Sequence, residues 1–137
     1  MRDMFHNYPQ PEGYVPNNRP VKLERKILSI MAGETSLQSF DVRMNIPEEA
    51  SSTFVIYKLG LSDIIVKSND ELEITYDEDK KISLVTCKLS AEETKIFAHT
   101  VLSCRVQLKF ILKNGSTIFT DIYPVKLSNS LEVYDEV

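Results

Sequence analysis

The sequence predicts an all-β protein, a β-sandwich of seven to nine short antiparallel strands with one short helix, preceded by an extended N-terminal arm. Three observations predict it. From residue 21 onward, apolar and polar side chains alternate with a period of two in one run after another, the pattern of strands with one face buried. Turn-forming residues interrupt these runs about every eight to twelve residues, the spacing of a sandwich. Only one stretch, beginning at Ser90, carries the chemistry of a helix start. A partly open barrel shares the same local signals and stands as the alternative architecture.

The arm comprises residues 1–20 and the sandwich domain residues 21–137. Four of the six prolines fall in the arm, with Asn7, Gly13, Asn17 and Asn18 among them. Proline removes a backbone donor and holds the preceding residue extended, which excludes a helix and disfavours a regular strand. Met4, Phe5, Tyr8, Tyr14 and Val15 are nevertheless too apolar for a flexible linker. Such side chains along a proline-stiffened chain suit docking on a surface, its own or a neighbour's, because less entropy is lost on binding.

The domain begins with an imperfect alternation from Val21 to Ser29, leading to a turn predicted at Met31-Ala32-Gly33-Glu34. Leu37 to Asn45 places Phe40, Val42 and Met44 on one face of a half-buried strand. Ile46 to Ser52 reads as a loop, and Thr53 to Lys58 as a strong strand. After a turn at Gly60, Ile64 to Lys67 is a short strand, and Leu72 and Ile74 alternate with charges as in an edge strand. Tyr76 to Lys81 is a polar connection. The run from Ile82 to Leu89 is apolar on both faces, which predicts a central strand.

Ser90-Ala91-Glu92-Glu93 fits a capping box, opening a helix of about two turns that ends near Ala98 or His99 and is held by packing of Ile96 and Phe97. The clearest hairpin follows. Cys104, Val106, Leu108, Phe110 and Leu112 share one apolar face, Asn114-Gly115 predicts a type I′ turn, and Ile118 to Leu127 is the return strand, marked by Pro124. Ser128-Asn129-Ser130 breaks the run before a short acidic tail.

Composition and charge narrow the function. The chain of 137 residues is one domain's worth, 42% hydrophobic and 26% charged, with a net charge of −4 that argues against a nucleic-acid binder. Residues 1–26 hold five Lys or Arg against three Asp or Glu, and the rest hold eleven against seventeen. A mildly basic start thus precedes an acidic body, a polarity suited to an acidic neighbour, another copy of the chain included. No secretory signal and no membrane span are expected.

Catalytic groups are sparse. The two histidines, His6 and His99, have no metal-ligand spacing around them, and no nucleophile elbow surrounds any serine. Cys87 and Cys104 lie in strand-like runs and read as buried free thiols. The acidic run Asp70, Glu71, Glu73, Asp77, Glu78 and Asp79 lacks EF-hand spacing and reads as a solvated edge and loop. The four glycines are too scattered for a phosphate loop. Arg105, Lys109, Phe110 and Lys113 only weakly imitate a single-strand nucleic-acid platform and read as a solvated hairpin. The expectation is therefore a non-enzymatic binding protein, with no cofactor, no metal, no small-molecule substrate and no membrane partner.

One resemblance sharpens this. Val55-Ile56-Tyr57-Lys58-Leu59-Gly60, then Leu89-Ser90-Ala91-Glu92-Glu93-Thr94, then Val106-Gln107-Leu108-Lys109-Phe110 and the Asn114-Gly115 turn follow one another in an order that resembles small virion proteins of tailed phages and prophages of Gram-positive bacteria. A similar order appears in N-terminal modules of upper baseplate proteins. It spans Phe40 to Leu131, about two thirds of the chain.

The resemblance implies an immunoglobulin-like β-sandwich that docks on a symmetric assembly, at the tail or baseplate or on the head. Its expected partners are other virion proteins and copies of itself, and its location the virion, with assembly in the bacterial cytoplasm. The chain departs from the baseplate pattern by stopping where a helical stalk and receptor-binding module would follow, which implies a building block rather than an adhesin. The partner-binding residues expected are Phe5, Tyr8 and Tyr14 as apolar anchors, with Arg19, Lys22 and Arg25 supplying charge complementarity. The alternatives are a capsid decoration protein, or a free phage-encoded binding or regulatory protein outside the particle.

Overall fold

The computed structural model describes residues 21–23 and 28–129. The alternating runs become nine strands: β1 (Leu28–Ala32), β2 (Ser36–Val42), β3 (Ala50–Leu59), β4 (Ser62–Ser68), β5 (Leu72–Asp77), β6 (Ile82–Leu89), β7 (Cys104–Leu112), β8 (Thr117–Phe119) and β9 (Tyr123–Asn129). Two single helical turns interrupt them, α1 (Ile46–Glu49) and α2 (Ala91–Thr94), and a 3-10 turn at Lys95–Phe97 extends the second. The larger sheet has the order β1-β9-β7-β3-β4, with β8 also paired to β7, and the smaller sheet is β2-β6-β5.

The two sheets face one another, so the architecture is a sandwich and not a barrel. In immunoglobulin lettering the smaller sheet supplies strands B, E and D, and the larger supplies G, F, C and C′, the connectivity of that fold. The extra strand β8 lies between F and G.

Period-two alternation builds the core. Cys104, Val106, Leu108 and Phe110 of β7 all point inward and are at most 4% exposed. They belong to one cluster with Phe40 and Val42 of β2 and Val85, Cys87 and Leu89 of β6. Each such side chain contributes roughly 1.5–3 kcal/mol on burial.

Three polar ties fix how the layers meet. Tyr57 of β3, fully buried, donates its hydroxyl to Gln38 Oε1 of β2 at 3.2 Å and lies 3.8 Å from Cys87 Sγ. Gln38 Nε2 in turn donates to Ser36 Oγ at 2.7 Å and to Ser29 O at 3.1 Å, so the chain of hydrogen bonds crosses between the sheets. Lys67 of β4 pairs with Glu93 at 2.6 Å and Glu71 at 3.7 Å. Glu93 also accepts from Ser90 N while its own N–H donates to Ser90 Oγ, so the capping box forms as expected and doubles as half of an ion pair. Third, Thr94 Oγ1 donates to Glu34 O at 2.8 Å and accepts from Gly33 N at 3.1 Å. This anchors the turn after β1, where Gly33 takes a φ of 89°.

Several expectations change. The pair β1–β9 is parallel, so the strands are not all antiparallel. Met31 and Ala32 belong to β1, and the turn begins after them, because Ala32 is wholly buried in the core. The expected loop at Ile46–Ser52 contains α1, capped by Asn45 Oδ1, which accepts from Glu48 N, with Pro47 in the first turn; β3 starts directly after it. Of the two residues expected to hold the second helix, Phe97 is buried but Ile96 is 49% exposed. β6 is central, yet its outer face is not covered: Leu84 is 40% exposed.

The hairpin after β7 also differs. Only Gly115 takes positive φ, 91°, while Asn114 does not, so the turn is not type I′. Lys113 to Gly115 form a three-residue loop closed by Gly115 N–H to Leu112 O and Leu112 N–H to Ser116 O, a type I-like turn ending in a left-handed glycine. The return strand splits into β8 and β9 at Asp121–Ile122. At the break the Thr120 hydroxyl accepts the Leu108 N–H at 2.9 Å and donates to Asp121 O at 2.9 Å, closing a gap in the ladder. β9 runs through Asn129 rather than ending before Ser128, since Ser128 and Asn129 pair with Met31 and Ala32.

Candidate docking face

The side chains that β3, β4, β7 and β8 turn away from the core form ordered rows on the outside of the larger sheet. Cross-strand pairing places Ser68, Phe54, Lys109 and Phe119 in one row, and Val66, Ile56 and Gln107 in the next. The Lys109 ammonium sits 5.4 Å from the centre of the Phe54 ring, a cation–π contact. Val66 is 49% exposed and Phe119 41%. A third row holds Asp63, Lys58, Arg105 and Pro124, in which Lys58 and Asp63 form an ion pair at 2.6 Å. Arg105 Nη2 donates to Gly60 O at 2.6 Å, while its Nε is buried without an acceptor, a local cost of about 1–3 kcal/mol. Lys126 of β9 is exposed beyond Arg105.

The outside of the smaller sheet differs in chemistry. Its strands present Leu37, Asp41, Leu84, Lys88, Glu73 and Asp77, so carboxylates outnumber cations. A shallow groove of about 250 Å³ lies there between Asp41, Asp77 and Lys80, over a floor of Ile82 and Leu84. A third exposed apolar region is the pole where the β3–β4 turn meets the start of β7. Leu61 is 96% and Val101 98% exposed there, and Gly60 N–H bonds Ser103 O.

Of the partner-binding residues read from the sequence, Phe5, Tyr8, Tyr14, Arg19 and Arg25 lie outside the described residues. Lys22 is exposed at the seam between the sheets. Its neighbours hold it there: Val21 N–H donates to Phe119 O at 2.8 Å, and the Leu23 carbonyl accepts from the Tyr123 hydroxyl at 3.0 Å. The Lys22 carbonyl itself accepts from Arg43 N at 3.2 Å. Val21 therefore lies beside Phe119, at the rim of the larger sheet's outer face. Phe54, Val66 and Phe119 did not stand out in the sequence, although their signal was present: they are large apolar residues at outward positions of strands whose inward positions are already apolar.

The Cys87 and Cys104 thiols are both free and buried. Burial pushes Cys104 up to about 11; burial also raises Cys87, outweighing the opposing effects of Tyr57 and Lys67. Thiols held protonated are poor nucleophiles. Among the described residues no three His, Cys, Asp or Glu side chains converge as a metal site. In the acidic run, Asp77 Oδ1 accepts from the N–H groups of Asp79 and Lys80, and Glu71 accepts from Ser68 N, so these carboxylates hold turns. Phe110 is fully buried, so it offers no base-stacking surface beside Arg105 and Lys109. No helix among the described residues is long and apolar enough to cross a membrane.

The class defined by this fold is the immunoglobulin-like β-sandwich. No protein-family model matches the chain, and no curated protein matches it.

Proposed function

We propose that this protein is a non-enzymatic assembly module of a phage virion, docking on a symmetric structure at the tail or baseplate or on the head. The observation that carries the docking reading is the outer face of the larger sheet, where Phe54, Val66 and Phe119 stand exposed or half-buried among Lys58, Arg105 and Lys109. Apolar and aromatic side chains interleaved with arginine and lysine are the composition of protein interfaces. The arm joins this reading through Phe5, Tyr8, Tyr14, Arg19, Lys22 and Arg25, because Val21, the residue after it, lies at the rim of that face. The phage setting rests on the sequence resemblance alone. Its motifs fall on β3, the α2 cap, β7 and the turn after it, so three of the four belong to the larger sheet.

Mass spectrometry of purified particles, with copy number measured against the major capsid protein, tests the setting. Copies near the capsid number support a head decoration protein, and a dozen or so a connector or baseplate component. Absence from particles overturns the virion reading. It favours the free binding protein, for which β4 offers a seven-residue edge strand at the end of the larger sheet. Deleting residues 1–20 tests the arm: incorporation of the truncated protein would remove it from the docking surface.

A further inference from the structure

We propose that copies of this chain stack head to tail, the basic outer face of the larger sheet of one copy seating on the acidic outer face of the smaller sheet of the next. This rests on the reading of the larger sheet's face as a docking surface, and it names a second copy of the chain as the occupant.

The argument is charge complementarity between two faces on opposite sides of one sandwich. Lys58, Arg105, Lys109 and Lys126 project from the larger sheet, where Asp63 is engaged with Lys58 at 2.6 Å. Glu73 and Asp77 project from the smaller sheet beside Asp41, with Lys88 on the strands' outward positions and Lys80 at the groove as the cations there. Each face also carries apolar surface for contact: Val66 and Phe119 on the first, Leu37 at 72% and Leu84 at 40% exposed on the second.

Pairing either face with its own kind sets like charges against each other, which costs affinity. Pairing one with the other brings opposite charges together, so the contact is heterologous and repeats into a ring or filament.

The test is sedimentation velocity on the full chain and on one-face variants. Lys109→Glu damages the basic face; Lys126→Glu, at an exposed position, does the same if loss of the Phe54 contact impairs folding. Glu73→Lys damages the acidic face. The wild-type chain is expected to associate with rising concentration at roughly 0.02 M salt and to dissociate at about 1 M, where the Debye length is about 3 Å. Each variant alone should weaken association by about tenfold or more. An equimolar mixture of a basic-face variant and Glu73→Lys should associate one to one, because each supplies the face the other lacks.

A wild-type chain monomeric at every concentration and salt, variants that associate like the wild type, or a mixture that stays monomeric would each overturn the proposal. A chain that stays monomeric yet enters particles removes this proposal and leaves the docking reading standing. A chain that associates but is absent from particles does the reverse.

Discussion

On β7 of the larger sheet the outward residues are Arg105, Gln107 and Lys109, flanked by Phe54 and Phe119; on β5 of the smaller sheet they are Glu73, Thr75 and Asp77. The inward apolar residues of both sheets form a single cluster, joined by a few buried polar groups such as Gln38 and Lys67. The sheets thus share an interior and differ in what they offer to a partner. The interior sets stability, and the outer faces can change with little consequence for the fold.

The comparison breaks most sharply at two phenylalanines on adjacent strands. Phe110 of β7 points inward and is fully buried. Phe110→Ala should cost about 3–5 kcal/mol in chemical denaturation, the lost transfer energy plus a cavity. Phe119 points outward on β8, the neighbouring strand.

Next in size is the ion pair that fastens β4 to α2. Glu93→Gln should destabilise by about 1–3 kcal/mol, since it leaves the nearly buried Lys67 ammonium with only Glu71 and weakens the capping box. For Glu93, burial alone would raise the carboxyl, but Lys67 and the Ser90 N–H outweigh it and hold it below the usual range. For Lys67, burial alone would lower the ammonium, and Glu93 and Glu71 outweigh it, so it is raised. A depressed acid contributes stability that is present above its unfolded pKa, about 4.3, and lost as pH falls through the folded one. A raised amine contributes stability present below about 10.4 and lost as pH rises through the folded one. The pair therefore stabilises between those limits. The stability difference between wild type and Glu93→Gln, followed by denaturant titration against pH, should shrink on the acid side of about pH 4; a difference constant down to pH 2 would exclude the ion pair as its source.

A smaller effect is expected where the two sheets share a polar tie. Tyr57→Phe keeps the ring but removes the donor to Gln38 Oε1, and should cost about 1–2 kcal/mol by leaving a buried acceptor unpaired. Thermal melts of Tyr57→Phe, Gln38→Leu and the double variant should be non-additive, because both singles remove the same bond.

The smallest stability effect is expected for Phe119→Ala, at most about 1 kcal/mol, given 41% exposure of the side chain. Its consequence should appear instead in particle incorporation or self-association. A loss of stability as large as that of Phe110→Ala would place Phe119 in the core and end the distinction between the faces.

Much of the framework was legible in the sequence because it is local. The inward face Cys104-Val106-Leu108-Phe110 followed from alternation, and the Ser90–Glu93 box from spacing alone. The edge character of β5 followed from its charges. What escaped was set by partners far along the chain. Nothing near β1 says that it pairs in parallel with β9, about a hundred residues away. The run Ile118 to Leu127 reads as one return strand marked by Pro124, yet it divides earlier, where Thr120 replaces a ladder hydrogen bond. Ile96 and Phe97 are equally apolar, and the approach of α2 to β1 leaves only Phe97 inside. The outer apolar rows escaped for a related reason: Phe54, Val66 and Phe119 lie on three strands, and only the sheet order brings them into adjacent rows.

The sequence by itself determined the all-β class, most strand positions and the inward set of side chains, because a period of two and turn chemistry act within a few residues. Only the tertiary structure decided which strands share a sheet and that the sandwich has a basic-apolar face and an acidic one. Strand pairing depends on long-range burial and hydrogen bonding, and a face exists only once the strands that compose it have been brought together.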